Sequence, residues 1–193
     1  EAEKINYDRL LEASFTWEWI HSTENFYKKN HDIGTLYQVL EKYNSSFPED
    51  AYRMYFTSNH DENSWNGTGY EKYGSMLKPL AVFSCTWNGI PMIYSGEELP
   101  NLKRLHFFDK YTIEWTDKCE LHDFYKTLLT LRKTNPALRA ADNSVATFHI
   151  LTGASKNVMA YLRKPEEDAI LVLLNLSNDE TGFVLQDRLV NGK

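Results

Sequence analysis

The chain has 193 residues, enough for one sizeable domain or for a large piece followed by a small one. Its formal net charge of −6 argues against a nucleic-acid binder, because such proteins present a basic face to the phosphate backbone. No run approaches the roughly 18 uncharged apolar residues that a bilayer-spanning helix needs, so no membrane partner is predicted.

Two helices are predicted in the first part of the chain. The first covers residues 18–29, directly after a short aromatic run at residues 15–17. The second covers residues 33–43, where Leu36, Val39, Leu40 and Tyr43 recur at helical spacing. Pro48 marks its end, since the residue before a proline disfavours the α conformation.

A predicted strand then runs into a polar cluster. The apolar, aromatic-rich segment 52–58 stops at five polar residues in a row: Asn59, His60, Asp61, Glu62 and Asn63. Catalytic groups of α/β folds sit at the carboxyl ends of parallel strands, so this cluster is a candidate site. His-Asp pairs are also common on surface loops, which leaves open that Asp61 is an ordinary loop or capping residue.

The next segment repeats this order of elements. A turn-rich loop at residues 65–69 precedes a helix over residues 70–86, in which Pro79 predicts a kink or a later start. A second short apolar strand, residues 90–94, again runs into a polar loop at residues 95–98. Strand, polar loop, helix, strand and polar loop predict βαβ units and a parallel sheet.

A long loop separates this part from the next helix. Residues 99–115 are mixed in charge and irregular, and loops of that length in compact domains are usually functional or disordered. Asp117 and Glu120 have the spacing of a capping box and predict a helix that ends near residue 133. Its predicted core face consists of Leu121, Phe124, Tyr125, Leu128 and Leu131.

From about residue 142 the pattern changes to short strands. Turn residues separate four apolar segments, at 145–151, 158–163, 169–176 and 181–185. This pattern predicts an antiparallel, hairpin-connected module. Four short strands make a marginal core, so the module is expected to dock on the α/β part.

The two strand–loop junctions resemble motifs of the alpha-amylase family, glycoside hydrolase family 13. Phe56-Thr-Ser-Asn-His60-Asp61 is similar to the Phe-x-x-Asn-His-Asp segment at the end of the seventh barrel strand of that family. Residues 89–98 are similar to its eighth-strand pattern, Gly-x-Pro-x-x-Tyr-x-Gly-x-Glu. The resemblance implies an α/β fold: a partial TIM (β/α)8 barrel with about strands six to eight in residues 1–141. A small, truncated antiparallel β-sandwich domain follows in residues 142–193.

The resemblance also implies roles for individual residues. Asp61 corresponds to a third carboxylate that grips the sugar hydroxyls and stabilises the distorted ring, and His60 corresponds to a hydrogen-bonding partner of the same sugar. Glu1 corresponds to the acid/base glutamate that ends strand five, with the register against Glu3 left open. The alternative for Glu1 is a frayed, solvated chain end.

Further residues at the two junctions are substrate-binding or structural candidates. Asn59 and Trp65 are predicted to bind substrate, although Trp65 equally suits ordinary packing. Glu98 is interpreted as a structural hydrogen-bonding group under the site. Cys85 and Cys119 lie on separate predicted elements and define neither a metal site nor a disulfide framework.

The implied activity is retaining hydrolysis of α-1,4-glucosidic bonds in starch or maltooligosaccharides. In the family, the aspartate nucleophile, its arginine companion and most calcium ligands come from strands one to four, which this sequence lacks. The chain alone is therefore expected to be inactive and to bind no cofactor, with calcium a ligand of the intact parent.

Two alternatives stay open, a transglycosylase or cyclomaltodextrinase of the same family and a non-catalytic structural or sugar-binding fragment. Residue 1 is Glu with no initiator Met before it, so the N-terminus is interpreted as cut. The sequence does not fix a compartment, and a secreted or periplasmic parent is favoured over a cytoplasmic one. Exposed barrel edges predict a homo-oligomer.

Overall fold

The computed structural model describes residues 13–29, 32–48, 50–99, 102–153 and 156–190. The α/β part opens with two strands and the two helices between them: β1 (Ala13–Phe15), α1 (Trp17–Lys29), α2 (Gly34–Ser46) and β2 (Tyr52–Phe56). The next elements are a π-helical turn (Glu62–Asn66), α3 (Gly69–Tyr73), a 3₁₀ turn (Gly74–Met76), α4 (Leu77–Thr86) and β3 (Ile90–Met92). The remaining elements are α5 (His122–Thr134), a 3₁₀ turn (Pro136–Leu138), β4 (Ala146–His149), β5 (Val158–Lys164) and β6 (Ile170–Asn175). Within these described ranges, no helix is both long and apolar enough to cross a membrane.

The first sheet is parallel, with strand order β1–β2–β3. In its register Phe15 lies opposite Met54, which in turn lies opposite Ile90. The parallel pairing of β2 with β3, predicted from the order of elements, is confirmed. The carboxyl ends of all three strands therefore lie at the same end of the sheet. The polar segments that follow β2 and β3 are neighbours there.

Aromatic packing holds this sheet against its helices. Tyr55 of β2 meets Trp19 and Phe83 edge to face, with ring centroids 6.1 and 5.4 Å apart, and Trp19 stacks on Phe83 at 4.3 Å. Arg53 lies on the same face of β2 as Tyr55, because strand side chains alternate, and its guanidinium stacks on Phe47 at 3.6 Å. Trp19, Arg53, Tyr55 and Phe83 are buried, Phe47 is partly buried, and together they fix the helix-facing side of the strand.

The helix predicted over residues 70–86 is interrupted. It divides into α3, a 3₁₀ turn and α4, and the break falls at Gly74, whose φ of 51° favours glycine. A Cβ at Gly74 would also collide with the hydroxyl of Tyr27. Pro79 is the third residue of α4, where its missing N–H breaks no intrahelical bond, so the later start predicted from this proline is confirmed.

The predicted capping box at Asp117 and Glu120 is wrong. Helix α5 begins at His122 and has no side-chain cap, and the backbone N–H of Leu121 donates to Glu98 O at 2.9 Å. In a helix capped by Asp117 the Leu121 N–H would bond to the Asp117 carbonyl, and the loop after β3 takes this donor instead. On the predicted core face of α5, Leu121, Tyr125 and Leu128 are buried, Phe124 is partly buried, and Leu131 is exposed.

The second sheet is antiparallel, with strand order β4–β5–β6. Three of the four predicted strands are present, and the prediction of a fourth at residues 181–185 is wrong. Phe183 and Val184 in this segment are 38% and 66% exposed, whereas Leu185 packs against the buried Ile150, Ala160 and Leu162. Directly after the segment, Gln186 N donates to Leu151 O at 3.0 Å.

The antiparallel sheet packs on the helices of the α/β part, as predicted. The Tyr161 hydroxyl lies 2.5 Å from Thr86 Oγ1, and its ring meets Trp87 edge to face at 4.8 Å. The Tyr37 hydroxyl accepts a bond from Ala160 N at 3.1 Å. Both sheets contribute to one buried apolar cluster, and the division at residues 141 and 142 stays a prediction.

Candidate active site

A buried asparagine shapes the turn at the end of β2. Asn59 is 2% exposed, and its Oδ1 accepts a bond from the Glu62 backbone N–H at 2.7 Å. Its backbone carbonyl accepts from Asn63 N at 2.9 Å. These two bonds start a helical turn directly after the strand, which places His60 and Asp61 at the tip. Asn59, a predicted substrate-binding residue, therefore lies beneath the tip.

His60 and Asp61 lie side by side and face solvent. The distance from His60 Nε2 to Asp61 Oδ2 is 3.6 Å, and the side chains are 62% and 44% exposed. Imidazole nitrogens and carboxylate oxygens together donate and accept hydrogen bonds, so the pair can bind neighbouring hydroxyl groups of one ligand. The structure thus brings together the two residues that the sequence places at the centre of the site.

The next residue of the motif is buried in an ion pair. Glu62 is 2% exposed, and its carboxylate pairs with the ammonium of Lys72, which is fully buried. A second carboxylate, that of Glu24, lies 3.9 Å from the same ammonium, and Asn66 Nδ2 donates to Glu62 Oε1 at 3.1 Å. This network connects the π-helical turn to α3 and to α1, beneath the exposed pair.

The long loop after β3 is attached to the same turn. Asn63 Oδ1 accepts a bond from Leu105 N at 2.7 Å. The Arg104 guanidinium binds the Glu71 carboxylate through two nitrogens, Nε to Oε2 at 3.0 Å and Nη2 to Oε1 at 3.1 Å. The bonds from Arg104, followed by those from Thr68, lower the pKa of Glu71 to about 2. The described part of this loop is therefore positioned beside the tip of the site.

A carboxyl group that the sequence did not single out connects the ends of β2 and β3. Glu97 accepts a bond from Tyr94 N at 2.7 Å and another from the hydroxyl of Thr57, the residue after β2. Desolvation by burial raises the pKa of Glu97 to about 7, against the opposing effect of these two bonds. The structural hydrogen-bonding role predicted for Glu98 belongs to its neighbour. The adjacent Glu97 and Glu98 in the second motif indicated a buried carboxyl group. The sequence did not show which of the two side chains points inward.

Of the remaining predicted site residues, the structure describes Trp65 and does not describe Glu1. Trp65 is 56% exposed on the π-helical turn and contacts the rings of Phe107 and Phe108, with centroids 5.3 and 5.9 Å apart. It is therefore not an ordinary core tryptophan. Glu1 lies outside the described residues, and its acid/base assignment stays a prediction. Over the described ranges, no group of three or more His, Cys, Asp or Glu side chains is arranged to hold a metal ion.

The sequence of this chain is similar to part of several alpha-amylase-type proteins. A family model described as alpha amylase, catalytic domain, matches residues 10–111. Alpha-amylase 2 of Dictyoglomus thermophilum is 30% identical over 145 residues, which are 69% of this chain and 24% of that protein. A cyclomaltodextrinase of a Bacillus species is 34% identical over 119 residues, covering 57% of this chain and 19% of that protein.

A solved structure extends the likeness to the fold. The maltogenic alpha-amylase AmyB from Thermotoga neapolitana has a TM-score of 0.78 and 17% identity, covering 90% of this chain and 40% of that one. The chain spans about a quarter or less of the two curated relatives. The segment matched by the family model, residues 10–111, includes β1, β2, β3 and the turn that carries His60 and Asp61.

Proposed function

Because this chain belongs to the alpha-amylase family, glycoside hydrolase family 13, we propose that it is part of a retaining α-glucan hydrolase. The bonds cleaved are α-1,4-glucosidic bonds of starch or maltooligosaccharides. The observation that carries the proposal is the exposed His60–Asp61 pair at the carboxyl end of β2, within the matched segment. In this proposal residues 1–141 supply about strands six to eight of a (β/α)8 barrel. Residues 142–193 begin a C-terminal β-sandwich domain.

The proposed role of Asp61 is to stabilise the transition state. Retaining glycosidases use a nucleophilic carboxylate and an acid/base carboxyl group about 5–5.5 Å apart, and their transition state resembles an oxocarbenium ion. A further carboxylate that binds the sugar hydroxyls is most effective as positive charge develops on the ring. His60, 3.6 Å from Asp61, donates a hydrogen bond to a hydroxyl of the same sugar.

In this proposal neither the acid/base group nor the nucleophile belongs to the His60–Asp61 pair. Glu1 protonates the leaving oxygen and later removes a proton from water, and the nucleophile comes from a part of the barrel outside this chain. The chain alone is therefore expected to show no turnover. Reducing-sugar release by the isolated chain that survives Asp61→Ala would overturn both the mechanism and the assignment.

Other properties of the proposed parent also lie beyond this chain. Calcium stays a proposed ligand of the intact parent, and no step is assigned to it. A secreted or periplasmic location of the parent is part of the proposal. Among the strands that the structure describes, β1 and β3 are the outer ones of the parallel sheet, which favours self-association of the isolated chain. Sedimentation showing only monomer at high concentration would contradict that last point.

The test of the function is Asp61→Asn in the active parent enzyme. The loss of one preorganised electrostatic group should lower kcat on maltoheptaose by about 10²–10³, with little change in stability because the side chain is 44% exposed. Asp117→Asn, at an exposed position on the loop before α5, is the matched control and should leave kcat unchanged. Near-normal kcat in Asp61→Asn would rule out the role given to this residue.

A cyclomaltodextrinase is the second candidate, favoured by the 34% identity to the Bacillus protein of that name. Comparison of kcat/KM on β-cyclodextrin with that on soluble starch separates the two. A higher value on the cyclic substrate would assign the parent to this group. Transfer products in the same reactions would instead indicate a transglycosylase.

A further inference from the structure

A small cavity lies beside the ends of β2 and β3. Ser58, from the segment after β2, and Glu97, from the loop after β3, both line it, and Tyr70 of α3 and Tyr125 of α5 belong to the same wall. The space open to the centre of a water molecule is about 20 Å³. About 10–15 Å³ of such space is enough for one water, so the cavity has room for a single molecule.

The wall of this cavity contains a buried hydroxyl group. Ser58 is 3% exposed, and within the described part of the chain its Oγ has no hydrogen-bond partner. A buried hydroxyl without a partner destabilises the folded state, because the same group bonds to water in the unfolded chain. Buried waters in proteins bond to about three polar groups, and the Glu97 carboxyl group is a second polar group in this wall.

Glu97 connects the two strand ends and is mostly protonated below pH 7. Its carboxyl group accepts from the Thr57 hydroxyl and from Tyr94 N, the latter at 2.7 Å. Desolvation by burial raises the pKa of Glu97 to about 7 against these two bonds. The titratable groups around it become negative when they ionise, so none of them favours the charged carboxylate: Tyr70 and Tyr73 of α3, Cys85 of α4, Tyr125 of α5, and Tyr94 and Glu98 of the loop after β3.

A short buried segment connects this cavity with the candidate active site. Thr57, Ser58 and Asn59 are all buried and directly precede His60. Asn59 Oδ1 bonds to the backbone of the turn that carries His60 and Asp61. A shift of Thr57 or Ser58 therefore moves the pair, because the intervening residue is itself buried and bonded.

From this arrangement we propose that the cavity binds one water molecule between Ser58 and Glu97, and that Glu97 is thereby a positioning residue for the His60–Asp61 pair. The water completes the hydrogen bonding of Ser58 and extends the contact of the β3 loop from Thr57 to the next residue. An ionised Glu97 needs more hydration than a cavity for one water supplies, so the loop shifts and the pair is displaced. The positioning role rests on the proposed function, because it matters only where the pair acts on a substrate.

The first test looks for the water in this chain. A high-resolution crystal structure at pH 5.5 should show an ordered water within hydrogen-bonding distance of Ser58 Oγ and of a Glu97 carboxyl oxygen. Ser58→Ala should lose this water. Ser84→Ala, at a buried serine of α4 whose hydroxyl bonds to Leu80 O, is the matched control and should keep it. An ordered cavity without the water, or a water that stays fully occupied in Ser58→Ala, would overturn the proposal.

The second test measures positioning in the active parent. At pH 5.5, Glu97→Ala should lower kcat on maltoheptaose by about 10- to 100-fold with a much smaller change in KM, because a displaced group loses its effect in the transition state. Glu97→Gln has the shape of the protonated acid and should recover most of this loss. Circular dichroism and Tm check that each variant is folded. A folded Glu97→Ala variant with normal kcat would overturn the proposal.

The pH profile distinguishes positioning from a role in folding alone. The ratio of kcat in Glu97→Gln to kcat in the unsubstituted parent should rise by about 10-fold from pH 6 to pH 8, because a group one unit above its pKa is about nine-tenths ionised. Other titrating groups act equally on both enzymes and cancel in this ratio. Glu167→Gln, at an exposed position between β5 and β6, should give a flat ratio. A flat ratio for Glu97→Gln would overturn the proposal.

Failure of this inference and failure of the proposed function give different results. If Asp61→Asn loses activity but the water or the pH effect is absent, the positioning role is refuted and the proposed function stands. Near-normal kcat in Asp61→Asn would refute both.

Discussion

The polar residues after β2 form two layers in opposite surroundings. In the outer layer His60 and Asp61 are 62% and 44% exposed and lie 3.6 Å apart. In the inner layer Asn59 and Glu62 are each 2% exposed; Asn59 Oδ1 accepts from a backbone N–H, and the Glu62 carboxylate pairs with the buried Lys72. Neighbouring polar residues of one short segment thus have two different roles.

The difference lies in the cost of removing each residue. A buried polar group is retained because its partner would otherwise be left unpaired in a medium of low dielectric, so its loss lowers stability. An exposed polar pair has water as an alternative partner, so its removal costs little folding free energy. The inner layer is therefore a support and the outer layer is free to bind a ligand. The following predictions test that division.

The largest effect is expected from the buried lysine. Lys72→Met leaves the Glu62 carboxylate buried without its cation and should lower the free energy of unfolding by about 3–5 kcal/mol, measured by urea titration. Lys78→Met, at an exposed position of α4, is the matched control. Replacing both charges, in Lys72→Met/Glu62→Leu, should recover much of the loss. A Lys72→Met variant within about 1 kcal/mol of the unsubstituted chain would show that the ion pair is not a support.

A pH-dependent effect is expected from Glu97. Its pKa is raised from 4.5 to about 7 in the folded chain, so the folded state holds more protons between these values and stability falls as pH rises through this window. Glu97 contributes at most about 3 kcal/mol to this fall in the free energy of unfolding, because one pKa unit corresponds to 1.36 kcal/mol. Glu97→Gln should remove this contribution.

The measurement is the free energy of unfolding at several values between pH 4.5 and 7.5, in the unsubstituted chain and in Glu97→Gln. Other groups contribute equally to both, so the difference isolates Glu97. Glu167→Gln, at an exposed position between β5 and β6, is the control and should follow the unsubstituted chain. Parallel curves for the unsubstituted chain and Glu97→Gln would contradict the burial of this carboxyl group as the cause.

A smaller loss is expected where β3 approaches β2. A Cβ at Gly89 would lie 2.5 Å from the Arg53 carbonyl oxygen and equally close to the Tyr55 ring. Gly89→Ala should therefore cost about 1–3 kcal/mol, as other overpacked sites do, again by urea titration. Gly182→Ala, where an added Cβ meets no atom within 4 Å, should show no loss. Equal stability of the two variants would refute the close approach.

The smallest effect on folding is expected in the outer layer. His60→Ala and Asp61→Ala should each change the free energy of unfolding by no more than about 0.5 kcal/mol, because both side chains face solvent. A loss of 2 kcal/mol or more in either variant would show that the outer layer also supports the fold. The two layers would then not be distinct.

Much of the α/β part could be predicted from the sequence. The alternation of apolar runs with polar segments predicted the parallel pairing of β2 and β3, since buried parallel strands and helical faces each have their own period. The same pattern did not predict β1, whose segment was described only as a short aromatic run. The same pattern located His60 and Asp61 at the carboxyl end of β2. Local rules were also sufficient at Pro79, whose missing N–H allows the start of a helix and not its interior.

Other features were decided by partners distant in the chain. Thr68 with Glu71 and Asp117 with Glu120 have the same capping-box spacing, yet the first pair caps a helix and the second does not. The difference arises because Glu98 O, well before α5 in the chain, takes the N–H of Leu121. Local spacing cannot show such a partner.

The tertiary structure alone assigned the neighbours of the site. Glu97 turns inward because the Thr57 hydroxyl and Tyr94 N donate to it. The Phe107 ring stacks on the His60 imidazole because Arg104 and Leu105, just before it, bond to Glu71 and Asn63. By itself the sequence determined which residue types lie at the strand ends, since local periodicity and a two-motif pattern are properties of short segments. Their division into a buried support and an exposed site depended on which segments pack together, because burial is decided by neighbours brought from elsewhere in the chain.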